Sequence, residues 1–236
     1  MAAILLVEVI SALHFEKKYE RRLVVLGCFA IGLGAVLTPI GEPLSTICIA
    51  KLKGEPYNAD FFFLFHNLGI YILPAVIALG LAGSVLKHSK IGTVSEKSLL
   101  EKESETVKDI FVYAGKVYIF IMGLIFMGTG FKPIVDAHIV KLNAPMLYWI
   151  NTLSAVLDNA TLAAAEISPN MSLPQIRYIL MGLLISGGML IPGNIPNIIS
   201  AGKLKISSKE WAKIGIPIGL VLMVVYFAVF SIISRY

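Results

Sequence analysis

The chain has 236 residues, 57% of them apolar and only 15% charged, with a mean hydropathy of +0.81. Those values lie far outside the soluble range and make it an integral membrane protein. Its net charge of +5 comes from Lys and Arg scattered through short loops between apolar runs, which is not a nucleic-acid signal and instead reports orientation in the bilayer.

Taken in order, the opening apolar stretch from Ala2 to His14 has about 13 residues where a full crossing needs about 20. It reads as the returning half of a hairpin whose leading arm is missing. No basic leader or small-residue cleavage site marks it as a signal peptide. Residues 16–22 (EKKYERR) form a charged loop. Residues 23–50 form a broken crossing, interrupted at Thr38 to Pro43, and 61–86 form a long crossing with a kink at Pro74. Residues 87–106, rich in Ser, Glu and Lys, are a solvated linker. A crossing follows at 110–130, then an interfacial loop from Phe131 to Asn143. Residues 144–168 carry two apolar arms of about ten residues, each about 15 Å long, around Leu157 to Thr161. Arms of that length reach the midplane and return, so this is a re-entrant hairpin. A second broken crossing spans 178–200 and a last crossing spans 214–233, with Pro217 near its entrance.

The two breaks resemble each other. Ile191 to Lys205 reads IPGNIPNIISAGKLK and Leu37 to Lys53 reads LTPIGEPLSTICIAKLK. Shifted by about 153 positions, Pro39 falls on Pro192, Pro43 on Pro196 and Gly34 on Gly187, while Glu8 resembles Glu166 further upstream. Prolines and glycines there forbid a continuous helix. Each break is expected to be an unwound turn between half-helices, and in lipid such a turn persists only where its freed backbone groups face protein, water or an ion. The domain reading is an incomplete first repeat at 1–86, the linker, and a second repeat at 107–236.

Loops 16–22, 87–108 and 203–213 share one face and carry thirteen Lys or Arg. The opposite face carries six, namely Lys51, Lys53, Lys132, Lys141, Arg177 and Arg235, with Lys116 left inside the membrane and snorkelling. The richer face is expected to be cytoplasmic in a multi-pass cell-membrane protein.

Asp158, Asn159 and Thr161 sit at a hairpin tip near the midplane, where a carboxylate costs at least a few kcal/mol unless paired or hydrated. They are the leading candidates for an ion site, and Asp158 could equally cap the arm that follows. Glu42 is the second acidic candidate, in a break with Thr38 and Ser45; it could bind a cation, carry a proton or cap the half-helix from Pro43. Gly193, Asn194 and Asn197 occupy the matching break without a charge. Glu8 and Glu166 are proton carriers or interhelical hydrogen-bonders. His66 and Asn67 read as packing residues. Cys28 and Cys48 have no His at metal-ligand spacing and read as small core residues. No cofactor is expected, and no metal beyond a transported cation.

At LTPIGEPLSTI, LDNATLAAAEI and IPGNIPNIISAGKLKI the chain resembles the ion transporter superfamily, which includes arsenite-pump membrane subunits, D-type sodium/proton antiporters and dicarboxylate symporters. Within it the closest resemblance is to a poorly characterised prokaryotic family of cation transporters. The resemblance implies an all-α, inverted-repeat transporter fold with broken helices and re-entrant hairpins, a homodimer, and a hairpin tip at Asp158 to Thr161 with breaks at Thr38 to Ser45 and Gly193 to Asn197. The expected function is secondary transport of a small cation, Na+ or H+ in exchange, with no nucleotide-binding loop of the G-x-x-x-x-G-K-[ST] type present. The alternatives are a non-transporting or truncated membrane protein that needs a partner chain, and an intramembrane aspartyl enzyme, for which nothing in the sequence places two carboxylates together.

Overall fold

In lipid the backbone must satisfy its own hydrogen bonds within each segment, and the chain does so with helix alone. The computed structural model describes residues 2–86 and 107–233; the expected linker at 87–106 lies outside the described residues. These are 79% helical without a strand, which settles the all-α class. The helices are α1 Ala2–Ala12, α2 Lys17–Ala35, α3 Pro43–Leu52, α4 Phe63–Val85, α5 Val107–Ile134, α6 Ala144–Ile150, α7 Asn159–Glu166, α8 Leu173–Gly187, α9 Ile195–Leu204 and α10 Ser208–Ile233. Among the described residues three stretches are long and apolar enough to cross a membrane: Phe63–Val85, Tyr118–Ile139 and Ser208–Ile233. Ile70, Leu81, Ile119, Phe126 and Val221 stand exposed along them, as lipid-facing side chains do. Around α8, which is buried over most of its length, the core gathers Val24, Phe29, Leu44, Leu68, Tyr148, Ile179 and Trp211.

Several boundaries differ from the sequence expectation, each for a local reason. The charged residues 16–22 are not a loop but the first turns of α2, held by the Lys17–Glu20 pair at 2.8 Å and by Arg21 to Glu210 at 2.8 Å. Residues 131–143 are not an interfacial loop over their first half: α5 continues to Ile134 and widens into a π-turn at Val135–Ile139 beside Pro133. An ion pair from Lys132 to Asp136 and a 2.8 Å hydrogen bond from Ser168 to Asp136 anchor that turn. Helix α8 starts five residues before the expected Tyr178, because Ser172 and Gln175 form a capping box. At Ser207, Oγ and N both bond Glu210, which starts α10 at Ser208 rather than at Ile214. Pro74 lies inside α4, which runs unbroken from Phe63 to Val85.

Both breaks are present, and their geometry repeats. Helices α3 and α9 are each ten residues long, and each follows an extended residue: Glu42 at φ −157°, ψ 161° and Asn194 at φ −154°, ψ 146°. A Cβ added to Gly41 would meet the Ala35 carbonyl oxygen at 1.8 Å, and one added to Gly193 would meet the Gly187 carbonyl oxygen at 2.5 Å. Ala35 and Gly187, Gly41 and Gly193, Glu42 and Asn194, Lys51 and Lys203 are thus matched at a spacing of 152 positions, one fewer than the prolines indicate.

Contacts divide the molecule into two ends. At one end α1, the start of α2, the close of α9 and the start of α10 meet through Lys203–Glu8 and Arg21–Glu210. At the other, the close of α3 and α7 meets the start of α4 and α8, with Lys51 donating to the Ala164 carbonyl, Tyr57 to the Met171 carbonyl, and Arg177 to Asn67 Oδ1 at 2.9 Å.

Candidate functional site

The site is built from the start of α3, the start of α7 and the turn between α8 and α9. Asp158 is the N-cap of α7: its Oδ2 accepts from the Thr161 backbone N–H at 2.9 Å and from the Thr161 hydroxyl at 3.1 Å. This satisfies a donor that the first turn of any helix leaves open. Glu42 occupies the N-cap of α3 by its backbone, yet its side chain makes no capping bond. Instead the carboxylate faces the Asn159 amide and lies within electrostatic reach of Asp158. Two carboxylates are therefore brought near each other, which no local pattern announces. Glu42 Oε1 and Asn159 Nδ2 are both buried, and neither has a hydrogen-bond partner beyond the other across this pair.

Asn159 joins this pair to the second break. Its Cβ lies 3.6 Å from where a Cβ on Gly187 would stand, and the Ser154 hydroxyl lies 3.3 Å from the same point. Gly193 presses its backbone against the carbonyls of Gly187 and Ser154, each 2.5 Å from its absent Cβ, an approach open only to glycine. Asn197 donates Nδ2 to the carbonyls of Gly187 and Leu190, both at 2.8 Å, while its Oδ1 is another buried oxygen without a partner. Asn194 is 3% exposed and points at α2, its Nδ2 2.9 Å from where a Cβ on Gly32 would be.

Glu42, Asp158, Asn159, Gly193 and Asn197 thus come together. Ser45 and Thr38 stand beside them with other tasks, the Ser45 hydroxyl donating to the Glu42 carbonyl at 2.7 Å and the Thr38 carbonyl accepting from Gly41 N at 3.1 Å. Thr161 serves Asp158. Glu166 is two turns away, where Oε2 accepts from Asn151 Nδ2 at 2.9 Å. Glu8 is at one end of the molecule, half-exposed and 3.8 Å from Lys203. Helix α1 packs on α2 and α9, which brings Lys203 near it.

Two residues of this neighbourhood were not singled out from the sequence. Asn151 and Ser154 are both fully buried on the 3-10 segment Asn151–Ala155, where Ser154 donates to the Leu183 carbonyl at 3.2 Å and Asn151 keeps an unpartnered Oδ1. Their signal was polar residues inside an apolar arm, WINTLSAV.

Chemically, the arrangement offers one uncapped carboxylate, a second nearby, amide oxygens and unwound carbonyls. Among the described residues no group of three or more His, Cys, Asp or Glu could hold a metal ion. Hard oxygen donors with so few formal charges suit a small monovalent cation or a proton better than a divalent ion.

The chain matches, over residues 1–233, the model of the family described as Protein of unknown function (DUF1646), and it belongs to that family. No curated protein and no solved structure matches it.

Proposed function

We propose that this DUF1646 member is a secondary transporter of a small cation, Na+ or H+ in exchange, with the cation held between Glu42, Asp158 and Asn159. One observation carries the reading. Glu42 stands where it could cap its own helix and does not; its Oε1 is buried with no partner beyond the Asn159 amide that it faces. A carboxylate kept in that state inside a membrane protein is costly, and neutralisation by a cation or a proton removes the cost.

The matched geometry supports an inverted-repeat architecture. Helices α1 to α4 correspond to α7 to α10, and matched elements run toward opposite ends of the molecule, since α3 closes at the Lys51 end and α9 at the Lys203 end. Helix α6, its 3-10 continuation and α7 form the re-entrant hairpin, whose tip reaches the two breaks. The end holding Lys17, Arg21, Lys203 and Lys209 is the cytoplasmic one by its excess of basic residues.

The test is cation exchange in inverted vesicles. Glu42→Gln and Asp158→Asn should each abolish exchange while the chain still inserts and purifies as wild type does. Exchange unchanged in both variants would remove this site from the mechanism.

A further inference from the structure

The half-helices end in matched lysines. Lys51 closes α3 and Lys203 closes α9, and each reaches across to the returning helix of the opposite repeat. Lys51 Nζ donates to the Ala164 carbonyl on α7, and Lys203 Nζ lies 3.8 Å from Glu8 on α1. Each also lines a cavity at its own end. One of about 180 Å³ is bounded by Lys51, Gly128, Thr129 and Lys132, and one of about 420 Å³ by Lys203, Ser11, His14 and Glu20. One turn deeper lies a buried thiol in each case. Cys48 precedes Lys51 by three residues, and Cys28 Sγ is 3.3 Å from the hydroxyl of Ser200, which precedes Lys203 by three.

We propose that Lys51 and Lys203 are a matched pair of latches, each closing the way from the cavity at its end to the central site by holding a half-helix against the opposite repeat. They are positioning residues: neither touches Glu42, and each acts through the half-helix it anchors. The inference rests on the transporter reading for its purpose, but the latches themselves are a property of packing. The two differ in kind. Lys51 binds a backbone carbonyl that no side-chain substitution removes, whereas Lys203 depends on the carboxylate of Glu8. Glu8→Gln should therefore release the Lys203 end, and no equivalent single substitution on α7 should release the other.

The native thiols report the outcome. In Cys28→Ser protein only Cys48 remains, and in Cys48→Ser protein only Cys28; each is treated with a membrane-impermeant maleimide in vesicles of both orientations. Lys51→Gln should raise Cys48 labelling several-fold, from the Lys51 side alone, and leave Cys28 unchanged. Lys203→Gln and Glu8→Gln should do the reverse from the other side, and exchanging the two charges (Glu8→Lys with Lys203→Glu) should restore protection. A neighbouring cation favours the reactive thiolate, so losing Lys51 by itself slows Cys48; a faster reaction can come only from access. No rise at either thiol, a rise at both thiols from either lysine variant, or a response from only one lysine overturns the proposal. Labelling does not require transport: the expected pattern in a protein that exchanges no cation would leave the latches standing and remove the transporter reading.

Discussion

Asp158 and Glu42 hold the same backbone position, immediately before a short helix, and spend their carboxylates differently. Asp158 turns back onto Thr161, so its loss has two effects that substitutions can separate. Asn caps as well as Asp does, whereas Ala does not, at a cost of typically about 1 kcal/mol. Asp158→Asn should therefore melt in detergent like the parent protein, and Asp158→Ala should melt lower. Glu42→Gln should leave the melting temperature unchanged or raised, because no cap is lost and a neutral amide replaces a carboxyl group whose ionised form is costly there. A Glu42→Gln protein that melts well below wild type would mean that the carboxylate is structural. The cap at Asp158 was readable from the order Asp-Asn-Ala-Thr alone. What Glu42 does was not, because its neighbour Asn159 arrives from a distant segment and no local pattern announces it.

At the scale of elements, the breaks were legible because proline and glycine act locally, and the helix starts at Ser172 and Ser207 were equally open to reading from Ser-x-x-Gln and Ser-x-x-Glu. The extension of α5 past Pro133 was not, since Ser168 secures its π-turn from the loop between α7 and α8. The turns themselves depend on close backbone approach. Gly193→Ala would drive a methyl group to 2.5 Å from two backbone carbonyl oxygens, and Gly41→Ala to 1.8 Å from one, and backbone cannot swing away. Overpacking of this kind costs roughly 1–3 kcal/mol, so both variants should melt markedly lower than wild type. Gly80→Ala and Gly202→Ala, with nothing within 4 Å of the new methyl group, should melt at or above it. Equal losses at all four positions would contradict this, because the two open positions would then be as intolerant of a methyl group as the two packed turns.

For the whole molecule, scattered lysines and arginines announced two ends before any contact was known, and the contacts bring together the same groups: Glu8, Arg21, Lys203 and Glu210 at one, Lys51, Lys132, Asp136 and Arg177 at the other. The likeness of the two breaks was legible from their prolines, which lie 153 positions apart, whereas Gly41 and Gly193, like Lys51 and Lys203, lie 152 apart. The meeting of the start of α7 with both breaks was not, as it depends on how the helices cross. The account requires that this meeting point take up a cation. Titration of the purified protein in detergent with Na+, followed by calorimetry in two buffers of different ionisation enthalpy, reads both cation uptake and any proton released. The account predicts saturable binding of one Na+ with proton release in the wild type, and neither in Glu42→Gln. Binding of the same strength in Glu42→Gln, in protein that melts like the wild type, would contradict it.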